Sequence, residues 1–121
     1  MSKFIITGQK PLKGEINVSG SKNAVLPIMA ASLLTKDECV LTNVPKIKDV
    51  ETMAEIMSDL GVIIAFTDHK LVIKAQDLKK SSPLPTFVSK LRGSILLLGP
   101  LLARTHSVEM PFPGGDLIGS R

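Results

Sequence analysis

The chain has 121 residues, enough for one modest domain with a hydrophobic core. Hydrophobic residues make up 44% of it, yet no run approaches the roughly 20 apolar residues of a membrane span, so we expect a cytoplasmic protein without membrane insertion. The net charge of +4 comes from dispersed basic residues, and there is no tryptophan or tyrosine to stack on bases, which argues against a nucleic-acid partner.

The first third of the chain reads as two short strands followed by a helix and another strand. Alternating apolar residues predict strands over residues 3–7 and 15–19. A run rich in Ala, Leu and Met predicts a helix over 23–34, with Pro27 near its first turn, where the missing N–H costs least. Residues 38–43 form the next predicted strand, and Cys39 on it is interpreted as a packed core thiol.

The second helix has the clearest pattern in the chain. Its apolar residues recur at helical spacing and predict a buried stripe of Val50, Met53, Met57 and Leu60. We expect Asp49 to cap the helix and Gly61 to end it. Residues 62–66 and 71–75 then form a predicted hairpin, whose exposed turn carries His69; turn composition explains this histidine better than a general-base role does.

A third helix is predicted from near Thr86 through residues 95–98, after a linker broken by prolines. It carries Arg92, and we expect Gly99 and Pro100 to bend or end it. Residues 107–110 then form a predicted strand that leads into a glycine-rich loop.

That loop, residues 110–121, places a carboxylate and a guanidinium among glycines. Glycine lets a backbone take positive φ values and come close to a ligand, so Asp116 and Arg121 are candidates for chemistry on an anion. Proline and glycine mark a solvated surface turn equally well, and local sequence alone does not separate these readings.

A second segment points to an anion as well. Lys22 and Asn23 fall at the predicted start of the first helix, where free N–H groups and the helix dipole favour negative charge. Considered alone, the segment is explained better by Ser21 or Asn23 capping the helix and Lys22 lying in solvent.

Four motifs, taken together, resemble one family. They are G-S-K-N-A-V-L-P at 20–27, L-T-N-V-P-K-I-K-D-V at 41–50, L-R-G-S-I-L-L-L-G-P-L-L-A-R at 91–104 and P-G-G-D-L-I-G-S-R at 113–121. The chain thereby resembles the UDP-N-acetylglucosamine enolpyruvyl transferases (1-carboxyvinyltransferases), which catalyse the first committed step of peptidoglycan synthesis in bacteria.

The resemblance implies an α/β (α+β) fold, the inside-out α/β barrel, in which β-α-β-α-β-β repeats build two domains around a cleft. The chain is far shorter than such enzymes, so we expect the N-terminal portion of a longer protein that is inactive without its C-terminal portion. Residues 1–21 would pack on the absent second domain. Residues 22–121 would form a partial first catalytic domain that ends in the catalytic loop, 111–121.

The resemblance also implies a reaction and its residues. The enolpyruvyl group of phosphoenolpyruvate passes to UDP-N-acetylglucosamine with release of phosphate, and no cofactor or metal is needed. Lys22 and Arg121 would hold phosphoenolpyruvate, with Lys22 near the reacting centre. Asn23 and Arg92 would position the nucleotide sugar and the anionic intermediate, although Arg92 taken alone is explained better by a salt bridge on a helix surface.

Asp116 stands where the family more commonly has cysteine, and an aspartate variant occurs within the family. As the general acid, aspartate needs its pKa raised far above the reference value of about 3.9, and we expect this only when the loop closes over substrate. A carboxylate is a poor nucleophile, so the drug fosfomycin, which alkylates the cysteine, should not inactivate this protein.

Two other functions remain open on the sequence. The related enolpyruvyl transferase of the shikimate pathway shares fold and chemistry, but a serine-rich run typically follows its lysine, whereas here Lys22 precedes Asn23 and Ala24. A non-catalytic nucleotide-sugar-binding module or fragment is the alternative from another class, because half of the expected site is missing.

Overall fold

The computed structural model describes residues 2–115. The helices are α1 (Lys22–Ala31), α2 (Lys48–Asp59), α3 (Pro85–Val88) and α4 (Leu98–Thr105), the strands are β1 (Glu38–Leu41), β2 (Ile63–Thr67) and β3 (Lys70–Lys74), and single stretches of 3-10 helix cover Ser32–Leu34 and Arg92–Leu97. In this part of the chain no helix is long and apolar enough to cross a membrane.

The three strands form one antiparallel sheet in the order β1-β3-β2. Val72, in the middle of β3, pairs with Val40 on one side and with Ala65 on the other. The predicted hairpin is confirmed, and His69 lies exposed in its turn as expected. The turn is fixed to the chain after β1, because the N–H of Val44 donates to the carbonyl of His69 at 2.8 Å.

The hydrophobic core lies between the inner face of β3 and the helices. Leu71 and Ile73 of β3 are fully buried, as is the predicted stripe of α2, which consists of Val50, Met53, Met57 and Leu60. Cys39 of β1 is half-buried and packs against the same cluster. The helical period therefore identified the buried face of α2 correctly.

The two ends of α2 differ in how well the sequence predicted them. Asp49 does not cap the helix: the capping position is Ile47, which has no side-chain cap, and Asp49 lies in the first turn. Gly61 does end it, with a φ of +97° that an L side chain rarely adopts. A Cβ there would also stand 2.8 Å from Cγ of Lys79.

The predicted third helix is wrong in its extent. The chain forms the single turn α3, leaves helical geometry, follows a 3-10 path and resumes as α4 at Leu98. Gly99 and Pro100 do not end a helix but lie in the first turn of α4. Proline is tolerated there because N–H groups of a first turn have no acceptor within the helix.

The strand predicted over residues 38–43 forms as β1, whereas those predicted over 3–7, 15–19 and 107–110 are not formed. Residues 2–20 contain no helix or strand, and Ile16 is 91% exposed, since alternation alone cannot stabilise a strand that lacks a hydrogen-bonding neighbour. Residues 107–110 are not a strand either, although Val108 and Met110 pack against the core. That residues 1–21 belong with a second domain stays a prediction.

Arg104 near the end of α4 joins three parts of the fold. Its guanidinium donates to the carbonyls of Leu33 (2.6 Å) and Thr35 (3.1 Å) after α1. It also donates to the carbonyls of Ala75 (3.0 Å) and Gln76 (3.3 Å) after β3. These bonds fix α4, and with it the chain that leads to the glycine-rich loop.

Candidate functional site

A cleft of about 470 Å³ opens where α1 begins, beside the first turn of α2 and the 3-10 stretch that follows α3. The charged and amide side chains that line it are Lys22, Asn23, Asp49, Lys90 and Arg92. Leu26, Ile95 and Leu96 contribute apolar surface. Segments far apart in the sequence thus meet in one cleft.

Lys22 and Asn23 form the first turn of α1, and both are exposed. The preceding Ser21 is extended and its side chain makes no capping bond; its carbonyl accepts from the N–H of Val25 at 3.0 Å instead. The Ser21 side chain therefore does not cap α1, although such a cap was the alternative interpretation of this segment. The positive end of the α1 dipole faces the same cleft as the Lys22 ammonium.

An ion pair crosses this cleft from α1 to α2. The Lys22 Nζ lies 2.5 Å from Oδ2 of Asp49, with 55% and 32% of the respective side chains exposed. Sequence reasoning missed this role for Asp49, because spacing along the chain does not show that the starts of α1 and α2 are neighbours. The only available signal was the presence of Asp49 in one of the four motifs.

Arg92 is the first residue of the 3-10 stretch and lies on the rim of the cleft. The chain reaches this position by a sharp change at Leu91, which is extended after the turn of α3. Within residues 2–115 Arg92 forms no salt bridge. The alternative interpretation of Arg92, a salt bridge on a helix surface, is therefore not observed in this part of the chain.

The glycine-rich loop packs directly on the segment that carries Arg92. The N–H of Gly114 donates to the carbonyl of Val88 at 3.1 Å, and a Cβ on Gly114 would overlap the carbonyl oxygen of Ser89. Gly115 lines the cleft with a φ of +108°, and a Cβ there would be 2.8 Å from Cβ of Arg92. The sequence predicts that these glycines approach a ligand closely, whereas Gly114 approaches the protein backbone at Ser89 instead.

The predicted site residues fall into two groups. The structure brings Lys22, Asn23 and Arg92 together, whereas Asp116 and Arg121 lie outside the described residues. Among the described residues that line the cleft, three cationic side chains, Lys22, Lys90 and Arg92, accompany one carboxylate, and this balance favours an anionic ligand. Among residues 2–115 no group of three or more His, Cys, Asp or Glu is arranged to hold a metal ion.

Comparisons with known proteins agree with one another. A family model described as EPSP synthase (3-phosphoshikimate 1-carboxyvinyltransferase) matches residues 6–121. The UDP-N-acetylglucosamine 1-carboxyvinyltransferase of Rickettsia bellii is 50% identical over 125 residues, which cover 100% of this chain and 30% of that protein. The enzyme of the same name from Methylacidiphilum infernorum is 45% identical over 121 residues, which cover 100% of this chain and 28% of that protein. The chain therefore spans about 30% of the length of these curated relatives.

Among solved structures, the enolpyruvyl transferase NikO from Streptomyces tendae matches with a TM-score of 0.71 and 23% identity, over 78% of this chain and 22% of that chain. At this identity the likeness establishes a shared fold and nothing about activity. The predicted fold class, a partial α/β domain, is confirmed by it.

Proposed function

The chain belongs to the EPSP synthase (3-phosphoshikimate 1-carboxyvinyltransferase) family, and from this premise we propose that it is part of an enzyme that transfers the enolpyruvyl group of phosphoenolpyruvate to UDP-N-acetylglucosamine. The relatives with 43–50% identity that carry the name of this reaction support the choice of acceptor. The reaction would be the first committed step of peptidoglycan synthesis and would take place in the cytoplasm.

One observation supports the proposal above the others: Lys22, Asn23 and Arg92 line the same cleft. Lys22 would bind the phosphate or carboxylate of phosphoenolpyruvate, and Arg121 of the loop would share this task. Asn23 and Arg92 would position the nucleotide sugar and the anionic intermediate, since a guanidinium binds phosphate or carboxylate in bidentate fashion.

The chemistry is an addition followed by an elimination. The methylene carbon of phosphoenolpyruvate takes a proton, and the sugar hydroxyl oxygen bonds to the adjacent carbon as it loses its own proton. The resulting tetrahedral ketal then loses a methyl proton and expels inorganic phosphate, which restores the double bond. We assign the first proton transfer to Asp116, and we assign to Lys22 and the arginines the stabilisation of negative charge.

The described cleft is open and supplies one wall of such a site. Because catalysis of this kind needs water excluded and the charges of both substrates surrounded, we propose that the chain alone does not turn over and that the remainder of the enzyme is its partner.

The test is a chimera in which this chain replaces the segment of the Rickettsia bellii relative that it matches. We expect phosphate release from phosphoenolpyruvate only when UDP-N-acetylglucosamine is also present. Arg92→Ala should lower kcat/KM by about tenfold or more, because one transition-state contact of about 1.4 kcal/mol corresponds to that factor. Lys36→Ala is the matched control, since it removes an exposed cation that does not line the cleft.

The same assay separates the two other functions. The family model is described by an enzyme named for 3-phosphoshikimate. Release of phosphate with shikimate 3-phosphate in place of the nucleotide sugar would therefore identify the shikimate-pathway enzyme. A folded chimera that binds UDP-N-acetylglucosamine but releases no phosphate with either acceptor would identify a binding module.

A further inference from the structure

The ion pair between Lys22 and Asp49 lies in the cleft. Asp49 is the sole acidic side chain among the described residues that line it, and its Oδ2 lies 2.5 Å from the Lys22 Nζ. Both side chains are partly exposed, so a ligand can reach the pair.

We propose that Asp49 is a positioning residue that holds the Lys22 ammonium toward the cleft for an anionic phosphate or carboxylate group. An ammonium has three donors, so one can remain on Asp49 while another binds the ligand. The lysine side chain is long and has many rotamers, and a fixed carboxylate partner restricts it to the geometry that catalysis needs. This inference rests on the proposed function, because it gives Lys22 its task in the same site.

Two of the other ion pairs among the described residues have different surroundings. Lys48 and Glu51 pair within one turn of α2 at 3.2 Å, and both are largely exposed. Lys80 and Asp59 pair at 2.6 Å, and Asp59 also accepts the N–H of Leu84 at 3.0 Å, so it secures a loop. The pair of Lys22 and Asp49 joins two helices and faces a cleft.

A carboxylate beside an anion site also repels the ligand. Loss of the Asp49 charge should therefore strengthen phosphate binding while it slows catalysis. Asp49→Asn should bind inorganic phosphate more tightly, by about three- to tenfold, because a negative charge a few ångströms from the ligand is removed. The same variant should catalyse more slowly, because the ammonium loses the carboxylate that helps to orient it. A residue that merely stabilised the fold would not move these two quantities in opposite directions.

The first experiment uses the 121-residue chain itself. Nuclear magnetic resonance reports the mobility of the Lys22 side chain and the affinity for inorganic phosphate in the wild type, Asp49→Asn, Asp49→Glu and Glu51→Gln. We expect Lys22 to be more mobile than in the wild type, and phosphate to bind more tightly, in Asp49→Asn alone. Glu51→Gln removes the same charge from the same helical turn, but its residue does not line the cleft. An equally ordered Lys22 in Asp49→Asn would overturn the proposal.

The second experiment uses the chimera with the Rickettsia bellii relative. Asp49→Asn should lower kcat by about tenfold or more, Asp49→Glu should restore part of it, and Glu51→Gln should leave it unchanged. An Asp49→Asn chimera with wild-type kcat would also overturn the proposal. If the wild-type chimera releases no phosphate, the proposed function fails, and the mobility of Lys22 in the isolated chain still decides the role of Asp49.

Discussion

Gly114 lies so close to Ser89 that a side chain of any size on it would overlap the Ser89 carbonyl oxygen. Its N–H donates to the neighbouring carbonyl of Val88 at 3.1 Å, and this bond holds the loop to the turn before Arg92. Gly114→Ala should therefore detach the loop and lower the free energy of unfolding by about 1–3 kcal/mol. Urea denaturation measures the loss, and faster exchange of the residue 114 amide proton locates it.

Gly99→Ala is the matched control for this prediction. A Cβ on Gly99 would meet nothing within 4 Å, and the residue lies in helix α4. Alanine should leave stability unchanged or raise it by about 0.5–1 kcal/mol, since it restricts the unfolded chain. Equal destabilisation by both substitutions would show that the contact with Ser89 has no special cost.

Replacing Arg104 by lysine should destabilise the whole fold, because one ammonium cannot reach the carbonyls on both sides that the guanidinium now joins. We expect a loss of about 1–3 kcal/mol in the free energy of unfolding, since partly buried carbonyls would lose their donors. Arg92→Lys is the control, because Arg92 is exposed on the rim of the cleft. A similar loss in both variants, measured by urea denaturation, would contradict the role given to Arg104.

The sequence predicted those parts of the fold whose signals are local. The stripe of α2, the end of this helix at Gly61 and the hairpin between β2 and β3 depend on neighbouring residues, and all three were correct. The third helix was mispredicted because its apolar residues fit a helix, whereas the packing of Gly93 close to Leu26 belongs to the tertiary structure. Tertiary contacts override helical propensity in such places.

The sequence likewise predicted some residues of the candidate site and missed those that depend on tertiary contacts. Lys22, Asn23 and Arg92 were named from motifs, and their convergence required the structure. Asp49 was interpreted as a cap because it precedes an apolar helix, and its contact with Lys22 depends on how α1 and α2 pack. Pairings between helices have no period in the sequence, so no local rule could have found them.

Removal of residues 2–18 should change the stability of the isolated chain by no more than about 0.5 kcal/mol, because these residues are exposed and form no regular structure. Gly20 is kept, since it packs against the carbonyl oxygen of Asn43. If residues 1–21 belong with the second domain, the same deletion should destabilise the chimera strongly. Thermal unfolding of both proteins checks this, and an unaffected chimera would contradict the predicted domain boundary.

The resemblance implies that Asp116 stands where the family commonly has the cysteine that fosfomycin alkylates. We therefore expect the drug not to modify this protein, because a carboxylate is a poor nucleophile. Cys39 should not react in its place, since it is half-buried on β1 and packs against the core. Mass spectrometry of the chimera after incubation with the drug and UDP-N-acetylglucosamine should therefore find no adduct.

Asp116→Cys in the same chimera supplies the positive control. A thiolate at this position should add one molecule of the drug and lose activity with time, and a second substitution, Cys39→Ser, should change neither result. An adduct on Asp116 or on Cys39 in the wild-type chimera would refute the prediction. An unreactive Asp116→Cys chimera that still turns over would show that resistance has a cause other than the missing thiol.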